Sequence, residues 1–565
     1  MAADSNPSAN RWPQQIKYIV GNEACERFSY YGMRSILAGY ITGAVVSGGL
    51  GQSDDTATSI IHLFVFVNYF MPLLGAWLSD RIIGRYHTIL WVSLFYCAGH
   101  GVLACSDFAG GVHGKVIFLC VGLGLIAFGS GGIKPCVSAF MGDQFKPEQS
   151  HLLQKAYGAF YWSINLGSFF SFLVIPFIKN HSGYSLAFAV PGILMAIATF
   201  VFWLGTKYYT RVPPSRETHR AGFFNVFFAA YRQSSSPLLP LHTLVTTIGL
   251  PLLVMIGLTF FAVYSTVAHH VVPAVRTVGW ISLVCAGIWY ASVVLSSLLG
   301  KIQLPDGFWQ GARARYSEGE VNAARSVGPI LFVFALIPVF FSLFDQTNST
   351  WVLQGQKMVP FQFAFYLPTL DAIRGWFHHA ISFPWEIVHF TIGAEEMQTA
   401  NPALVMILVP VLTVLIYPHI GRWASPLRRM SVGMFVAAFS YVVVATIQSH
   451  IDAGGKISVL WQVVPYIILT TAEVLVSTTG LEFAFREAAP EMKSLVMSFW
   501  LVTIALGDLL VAAITEIFAG PGNQSDSVSA PRFFLYAGLT FVVAILFSIV
   551  AARYQYRDAA AAEGK

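Results

Sequence analysis

Apolar stretches of about 20 residues, the length that crosses a bilayer as a helix, recur along the whole 565-residue chain. Fourteen candidate spans begin near residues 16, 56, 86, 112, 151, 183, 243, 279, 327, 398, 429, 457, 491 and 530. The composition points the same way: 55% of residues are hydrophobic and 11% charged, against roughly 25% charged in a soluble domain. Mean hydropathy is +0.62. The expected fold class is therefore an all-α polytopic membrane protein in contact with the lipid bilayer. The tail from Met1 to Gln15 is polar and has no apolar core of the signal-peptide kind, so the first span itself is expected to direct insertion.

Basic residues predict the orientation. With the N-terminus inside, 23 of the 33 Lys and Arg residues fall in cytoplasmic loops and tails, seven fall outside, and Arg27, Arg34 and Lys134 lie within spans. By the positive-inside rule both termini are cytoplasmic, in a multi-pass protein of the plasma membrane or, in a bacterium, the inner membrane. The net charge of +5 thus records loop placement and gives no reason to expect nucleic acid. Six cysteines, all in or beside spans, show no CxxC or Cys/His metal spacing and read as small packing residues. There is no HExxH, no Ser/His/Asp constellation in a plausible setting, and no GK[ST] after Gly129 to Gly132. A membrane enzyme is therefore not the reading, and no metal or organic cofactor is predicted.

The spans group as six, two and six. The expected layout is a tail (1–15), a six-helix bundle (16–207), a basic linker (208–242), two additional helices (243–300), a second linker (301–326), a second six-helix bundle (327–556) and a tail (557–565). The middle pair is nearly free of ionisable residues and reads as a scaffold outside the working core. An insertion, 357–399, carries His378, His379 and His389 and reads as an amphipathic segment on the outer surface rather than as a metal site.

Ionisable residues inside spans are costly unless paired or facing a cavity, and so mark function. Glu23, Glu26, Arg27, Tyr30, Tyr31 and Arg34 fall on one face of the first span at i, i+3, i+4, i+7, i+8 and i+11. Counting about 1.5 Å per residue sorts the charges into two depths. Arg34, His62 and Asp345 lie toward the outside; Glu23, Glu26, Arg27, Lys134 and Glu482 lie toward the cytoplasm. Two clusters at different depths suit alternating access, in which protonating an acid weakens the pairing that closes one side. Asp508 is a further intramembrane acid and reads as a hydrogen-bonding group within the bundle.

Gly75-Ala76-Trp77-Leu78-Ser79-Asp80-Arg81 with Gly84-Arg85 resembles the loop signature of the major facilitator superfamily, and Gly421-Arg422 with Arg428-Arg429 falls at the equivalent place in the second half. Glu23-Ala24-Cys25-Glu26-Arg27-Phe28-Ser29-Tyr30-Tyr31-Gly32 resembles the ExxERFxYYG signature of the proton-coupled oligopeptide transporters. Phe128 to Pro135, continuing to Ala139 to Phe145, resembles their fourth-span signature. Phe344-Asp345-Gln346 and Gly480-Leu481-Glu482-Phe483 are similar to the seventh and tenth core spans, so the likeness runs in order from Asn22 to Trp500. Met141, Ala484-Phe485-Arg486 and the long insertion depart from the pattern.

The resemblance implies two six-helix bundles plus two extra helices and symport of protons with di- and tripeptides, including peptide-like drugs, by a monomeric transport unit. It implies an outer gate of Arg34, His62 and Asp345, and proton coupling by Glu23, Glu26, Arg27, His62 and Asp345. It also implies that Glu482 with Asn165 and Asn401 holds the peptide amino terminus, and that Lys134, Arg27 and Tyr31 hold the carboxylate, with Arg34 adding positive charge. Lys134 would further contact Asp345, and Tyr31, Tyr161 and Trp500 would line the side-chain pocket. A transporter of another small solute, such as nitrate or an amino-acid derivative, is the alternative on the same scaffold.

Overall fold

The computed structural model describes residues 12–146, 149–214, 222–233, 244–268, 272–301, 303–368, 385–421, 425–519 and 527–556. Helix α1 (Ile16–Thr42) has 27 residues, about 40 Å at the helical rise, enough to cross a hydrocarbon layer of about 30 Å. α2 (Asp54–Leu78) begins where the Ser53 hydroxyl accepts the Thr56 N–H, with Asp54 and Asp55 in the first turn, the charge a helix N-terminus favours. α3 (Gly84–Ala104) and α4 (Gly111–Gly142) follow. The 55 residues of α5 (Ser150–Leu204) would reach about 80 Å if straight. Gly183, at φ +82° and ψ 177°, breaks it into two helices with a conformation open essentially to glycine alone.

α6 (Leu250–Ala268) and α7 (Pro273–Leu298) are the middle pair. Val254, Leu258 and Phe261 of α6 share a small apolar cluster with Phe66 of α2 and with Leu509 and Ala512 of a later helix, so the pair is attached to a flank. Next comes a broken rod: α8 (Glu318–Arg325), α9 (Val327–Phe334), α10 (Pro338–Phe344), a 3-10 turn over Asp345–Asn348, and α11 (Thr350–Gln356). Pro338 has no N–H for the preceding turn, and the rod bends by 47° between Phe334 and Pro338. The chain then forms α12 (Ala400–Pro410), α13 (Pro426–Asp452), α14 (Val463–Glu473), α15 (Thr479–Glu487), α16 (Lys493–Ile517) and α17 (Ala530–Arg553).

Among the described residues, ten helical stretches are long and apolar enough to cross a membrane, or eleven when the bent rod is counted. The predicted fourteen are thus not resolved one by one. Two of the ten, Asp54–Ala104 and Lys155–Lys207, run to 51 and 53 residues, each twice a crossing at about 1.5 Å per residue. α1 is not among them because Lys17, Glu23, Glu26, Arg27 and Arg34 lower its hydropathy.

The insertion differs from expectation. Its described part is a two-stranded antiparallel sheet, β1 (Phe361–Pro368) with β2 (Trp385–Ile392), in register from Phe361 opposite Ile392 to Pro368 opposite Trp385. The two-residue alternation Phe361, Phe363, Phe365 is the strand signal. His378 and His379 lie outside the described residues.

Within the first half α1 packs on α5, and α4 packs on α2 and α3. A Cβ on Gly75 would overlap the Gly132 carbonyl of α4, an instance of the small-residue contact that lets membrane helices approach. The halves meet chiefly at the C-terminal end of α1, hereafter the sealed end. There Lys179 donates to Glu395 at 2.6 Å, Lys357 lies 3.2 Å from Asp54, Ser59 donates to Glu516 at 2.7 Å, and the Ser527 N–H donates to Asp55 at 2.8 Å. At the other end Arg85 pairs with Asp143 and Arg429 with Glu482, each within one half.

Candidate substrate cavity and gate

Arg34 and Asp345 meet across the two halves because α1 is continuous there while its partner rod is interrupted by the 3-10 turn that begins at Asp345. Arg34 Nη2 donates to Asp345 Oδ1 at 2.8 Å, both side chains almost wholly buried. His62 stands beside this pair but bonds elsewhere. Its Nδ1 lies 2.6 Å from Asp508 Oδ1 and its Nε2 lies 2.8 Å from Ser349 Oγ. The expected trio of Arg34, His62 and Asp345 is thus a group of four with Asp508. Nearer the surface, burial raises the Glu395 carboxyl above its ordinary value, and Lys179 offsets part of that rise.

Further along α1, Arg27 Nε is 2.7 Å from both Glu23 Oε1 and Glu26 Oε2, and only the first contact is aligned as a hydrogen bond. Ser130 Oγ donates to Glu26 at 3.3 Å. Lys134 Nζ is buried with no hydrogen-bond partner among the described residues, 3.9 Å from the ring centre of Tyr69 and 4.7 Å from that of Tyr30. The expected ion pair between Lys134 and Asp345 is absent among the described residues. Asp345 is held by Arg34, and Lys134 lies a layer behind the tyrosines.

Between the halves is a cavity of about 150 Å³. Its roof is the Arg34–Asp345 pair. Tyr31, Tyr69, Tyr161 and Asn165 line the first-half wall, and Asn401 and Glu473 line the second-half wall. Asn401 Nδ2 donates to Glu473 Oε2 at 2.7 Å and to Thr470 at 3.2 Å, which aims the carboxylate from the end of α14.

Four expected lining residues are elsewhere. Glu482 lies nine positions beyond Glu473, about 13 Å along the chain of helices, where Arg429 at 2.6 Å and Arg486 at 3.7 Å hold it in a partly exposed site. Trp500 is buried against Phe334 and Phe341, at ring separations of 5.3 and 5.7 Å. Arg27 and Lys134 stand behind the wall that Tyr31 and Tyr69 form. The residue the sequence reading missed is Glu473. Its signal was present: an acid between Ala472 and Val474 inside an apolar span meets the same buried-charge criterion that singled out α1.

The sequence model of the POT family matches residues 86–369 and 375–529. Among curated proteins, solute carrier family 15 member 2 of Homo sapiens is 30% identical over 455 residues, covering 78% of this chain and 50% of that protein. Member 1 of Oryctolagus cuniculus is 29% identical over 474 residues, covering 80% and 54%. The chain therefore spans about half the length of these relatives. Among solved structures, an auto inhibited POT family peptide transporter is 37% identical with a TM-score of 0.76, covering 96% of this chain and 98% of that one. The POT family transporter PepTSo, also 37% identical, has a TM-score of 0.75, with 96% and 99% covered. The helical plan is that of the major facilitator superfamily, and, with most of its length matched by the family model, the chain belongs to the POT family of membrane transporters.

Proposed function

We propose that this protein is a proton-coupled symporter that imports di- and tripeptides, with peptide-like drugs as further substrates, by alternating access in a monomeric unit. The observation that carries this reading is the cavity itself: an acid on one wall, Glu473, and a roof of opposed charges, Arg34 and Asp345, that ties the two halves. An extended dipeptide separates its termini by up to about 7 Å and a tripeptide by about 10 Å. The ammonium is assigned to Glu473 with Asn401 and Asn165, and the carboxylate to the Arg34 side. The solved relatives at 37% identity, described as POT family transporters and in one case as a peptide transporter, support peptides as the substrate class.

Coupling follows from charge balance. Glu23 and Glu26 together offset Arg27 and Lys134 behind Tyr31 and Tyr69. A proton on either acid leaves one positive charge in surplus there, which favours a carboxylate in the cavity. A proton on Asp345 removes the partner of Arg34 and loosens the roof. By the distribution of Lys and Arg, the sealed end faces outward and both termini are cytoplasmic, so this conformation is the one facing the cytoplasm. Nitrate and other solutes without an amino group leave Glu473 unanswered, and competition by di-alanine separates the two readings. The direct test is uptake of a labelled dipeptide into proteoliposomes with and without an inward proton gradient. Accumulation is expected only with the gradient, and equal accumulation after an ionophore collapses it overturns the reading.

A further inference from the structure

Beside the Arg34–Asp345 pair stands a second one, of which only His62 has been given a role. The side chains of His62 and Asp508 have no exposed surface, and they touch at 2.6 Å through Nδ1 and Oδ1. On the other side of the ring, Nε2 lies 2.8 Å from Ser349 Oγ, whose hydroxyl donates to the Gln346 carbonyl at 3.5 Å. Where the Ser349 hydroxyl donates to Nε2, Nδ1–H faces an ionised Asp508; where it donates to Gln346, its oxygen accepts the Nε2–H. In the second case Nδ1 either accepts from a protonated Asp508 or carries the second proton of an imidazolium. Each arrangement holds one proton between Nδ1 and Oδ1.

Charge counting leads to the same place. Arg34 is answered by Asp345, so an ionised Asp508 beside a neutral His62 is an uncompensated charge in a dry site, and such groups take up a proton instead. Oδ2 of Asp508 is buried without a donor among the described residues, and the Asp345 carboxyl that lies against Asp508 offers one only when protonated. The charged and titratable groups around Asp508 are His62 of α2, Tyr30 and Arg34 of α1, Lys134 of α4 and Asp345 beyond α10. α6, packed on the flank of α16, brings no charged side chain.

We propose that Asp508 and His62 form a second proton-carrying site of the gate, holding a proton distinct from the one on Asp345. The inference rests on the proton-coupled reading above and adds to it. When the halves part, α2 separates from α16, the hydrogen bond between His62 and Asp508 breaks, and the shared proton exchanges with the water that enters. Sequence reading ranked Asp508 as a hydrogen-bonding group ahead of a second proton site. Its partner is a titratable ring, and that makes the bond a proton site.

The test is a proton count on purified protein in detergent, titrated from about pH 8 to about pH 5, for the native chain, Asp508→Asn, His62→Gln and the double variant. Asp508→Asn should take up about one proton fewer than the native chain, His62→Gln should shift that uptake along the pH axis without removing it, and the double variant should lose no more than Asp508→Asn, because the carboxyl and the ring share that proton. Unchanged uptake in Asp508→Asn overturns the proposal, as does a larger loss in the double variant or an unshifted uptake in His62→Gln. His62→Gln carries the test by itself should Asp508→Asn fail to fold. The ratio of protons to dipeptide at static head, measured in proteoliposomes, should also fall by about one in Asp508→Asn. Absence of gradient-driven uptake by the native protein counts against the symport reading, while the detergent titration still decides for or against the shared proton.

Discussion

Glu473→Gln isolates the charge of the cavity wall from its shape. Asn401 Nδ2 donates to Glu473 at 2.7 Å, and a glutamine oxygen accepts the same bond, so the wall should keep its form. What is lost is a negative charge facing the cavity beside Asn401 and Thr470. An ammonium about 4 Å from a carboxylate gains about 4 kcal/mol at an effective dielectric constant near 20. Desolvation of both partners offsets part of this, leaving about 2 to 3 kcal/mol, the range of a hydrogen bond to a charged group. The dissociation constant for di-alanine should therefore rise about 30- to 150-fold. Calorimetric titration with di-alanine and with its N-acetyl derivative is the assay. The acetylated ligand has no ammonium, so it should bind the native protein weakly and Glu473→Gln about as weakly. Glu482→Gln serves as the control, since Arg429 and Arg486 already hold Glu482 away from the cavity, and its affinity should stay within about twofold of native. Native affinity for di-alanine in Glu473→Gln, or an equal loss for both ligands, refutes the assignment of the amino terminus to this residue.

Asp345→Asn leaves Arg34 buried without its counter-charge, a defect of about 3 to 5 kcal/mol against the sealed state; gradient-driven accumulation should be lost while counterflow exchange of labelled dipeptide persists, and normal accumulation removes Asp345 from the proton path. Gly75→Val drives a side chain into the Gly132 carbonyl and should lower the melting temperature, at an overpacking cost of about 1 to 3 kcal/mol or more, whereas Gly124→Val, with nothing within 4 Å of a Cβ at that position, should melt as the native protein does. The Glu395 carboxyl is raised by burial despite Lys179, and returns toward about 4.3 once solvated. The sealed state is then the one that binds this proton more tightly, so its contribution is present in acid and is lost as pH rises through the raised value. In an Asp345→Asn, Asp508→Asn background, spin labels at Val46 and Lys456 should separate as pH rises, and Glu395→Gln should weaken that dependence, the remainder being carried by the other buried acids of the sealed end, Glu396 and Glu516.

The parts of the fold read correctly from sequence are those where local chemistry decides. Apolar length marks helices whatever they pack against, and a run such as Glu23 to Arg34 declares its face by period alone. Depth could be counted along α1 because that helix is unbroken, and Arg34 does meet Asp345. Partner choice was not legible in the same way. His62 bonds Asp508 rather than Asp345, and that choice depends on the lateral setting of α2 against α16, which no spacing within either helix encodes. Glu482 and Glu473 differ by nine residues on one rod, so only the position of the cavity along that rod decides which of them faces a ligand. The short β hairpin was obscured by its histidines and aromatics, which read as amphipathic until the alternation from Phe361 is followed.

One rigid element carries both charge clusters, and this accounts for how events at two depths become a single cycle. α1 runs from Ile16 to Thr42 without a break, so Glu26 and Arg34, eight residues apart, are about 12 Å apart along one rod. Its counterpart in the second half is interrupted twice, by the bend before Pro338 and by the turn that begins at Asp345. Backbone breaks absorb dihedral change at low cost while a continuous helix resists it. A carboxylate drawn toward the α1 side of the cavity therefore acts on a stiff rod that also holds the gate arginine, and the compliant side of the gate is the one bearing Asp345. Separation of Arg34 from Asp345 is then a movement of the broken rod past a fixed post. For that reason a titratable group at the break, where small displacements change its partner most, is better placed to time the opening than any acid on α1.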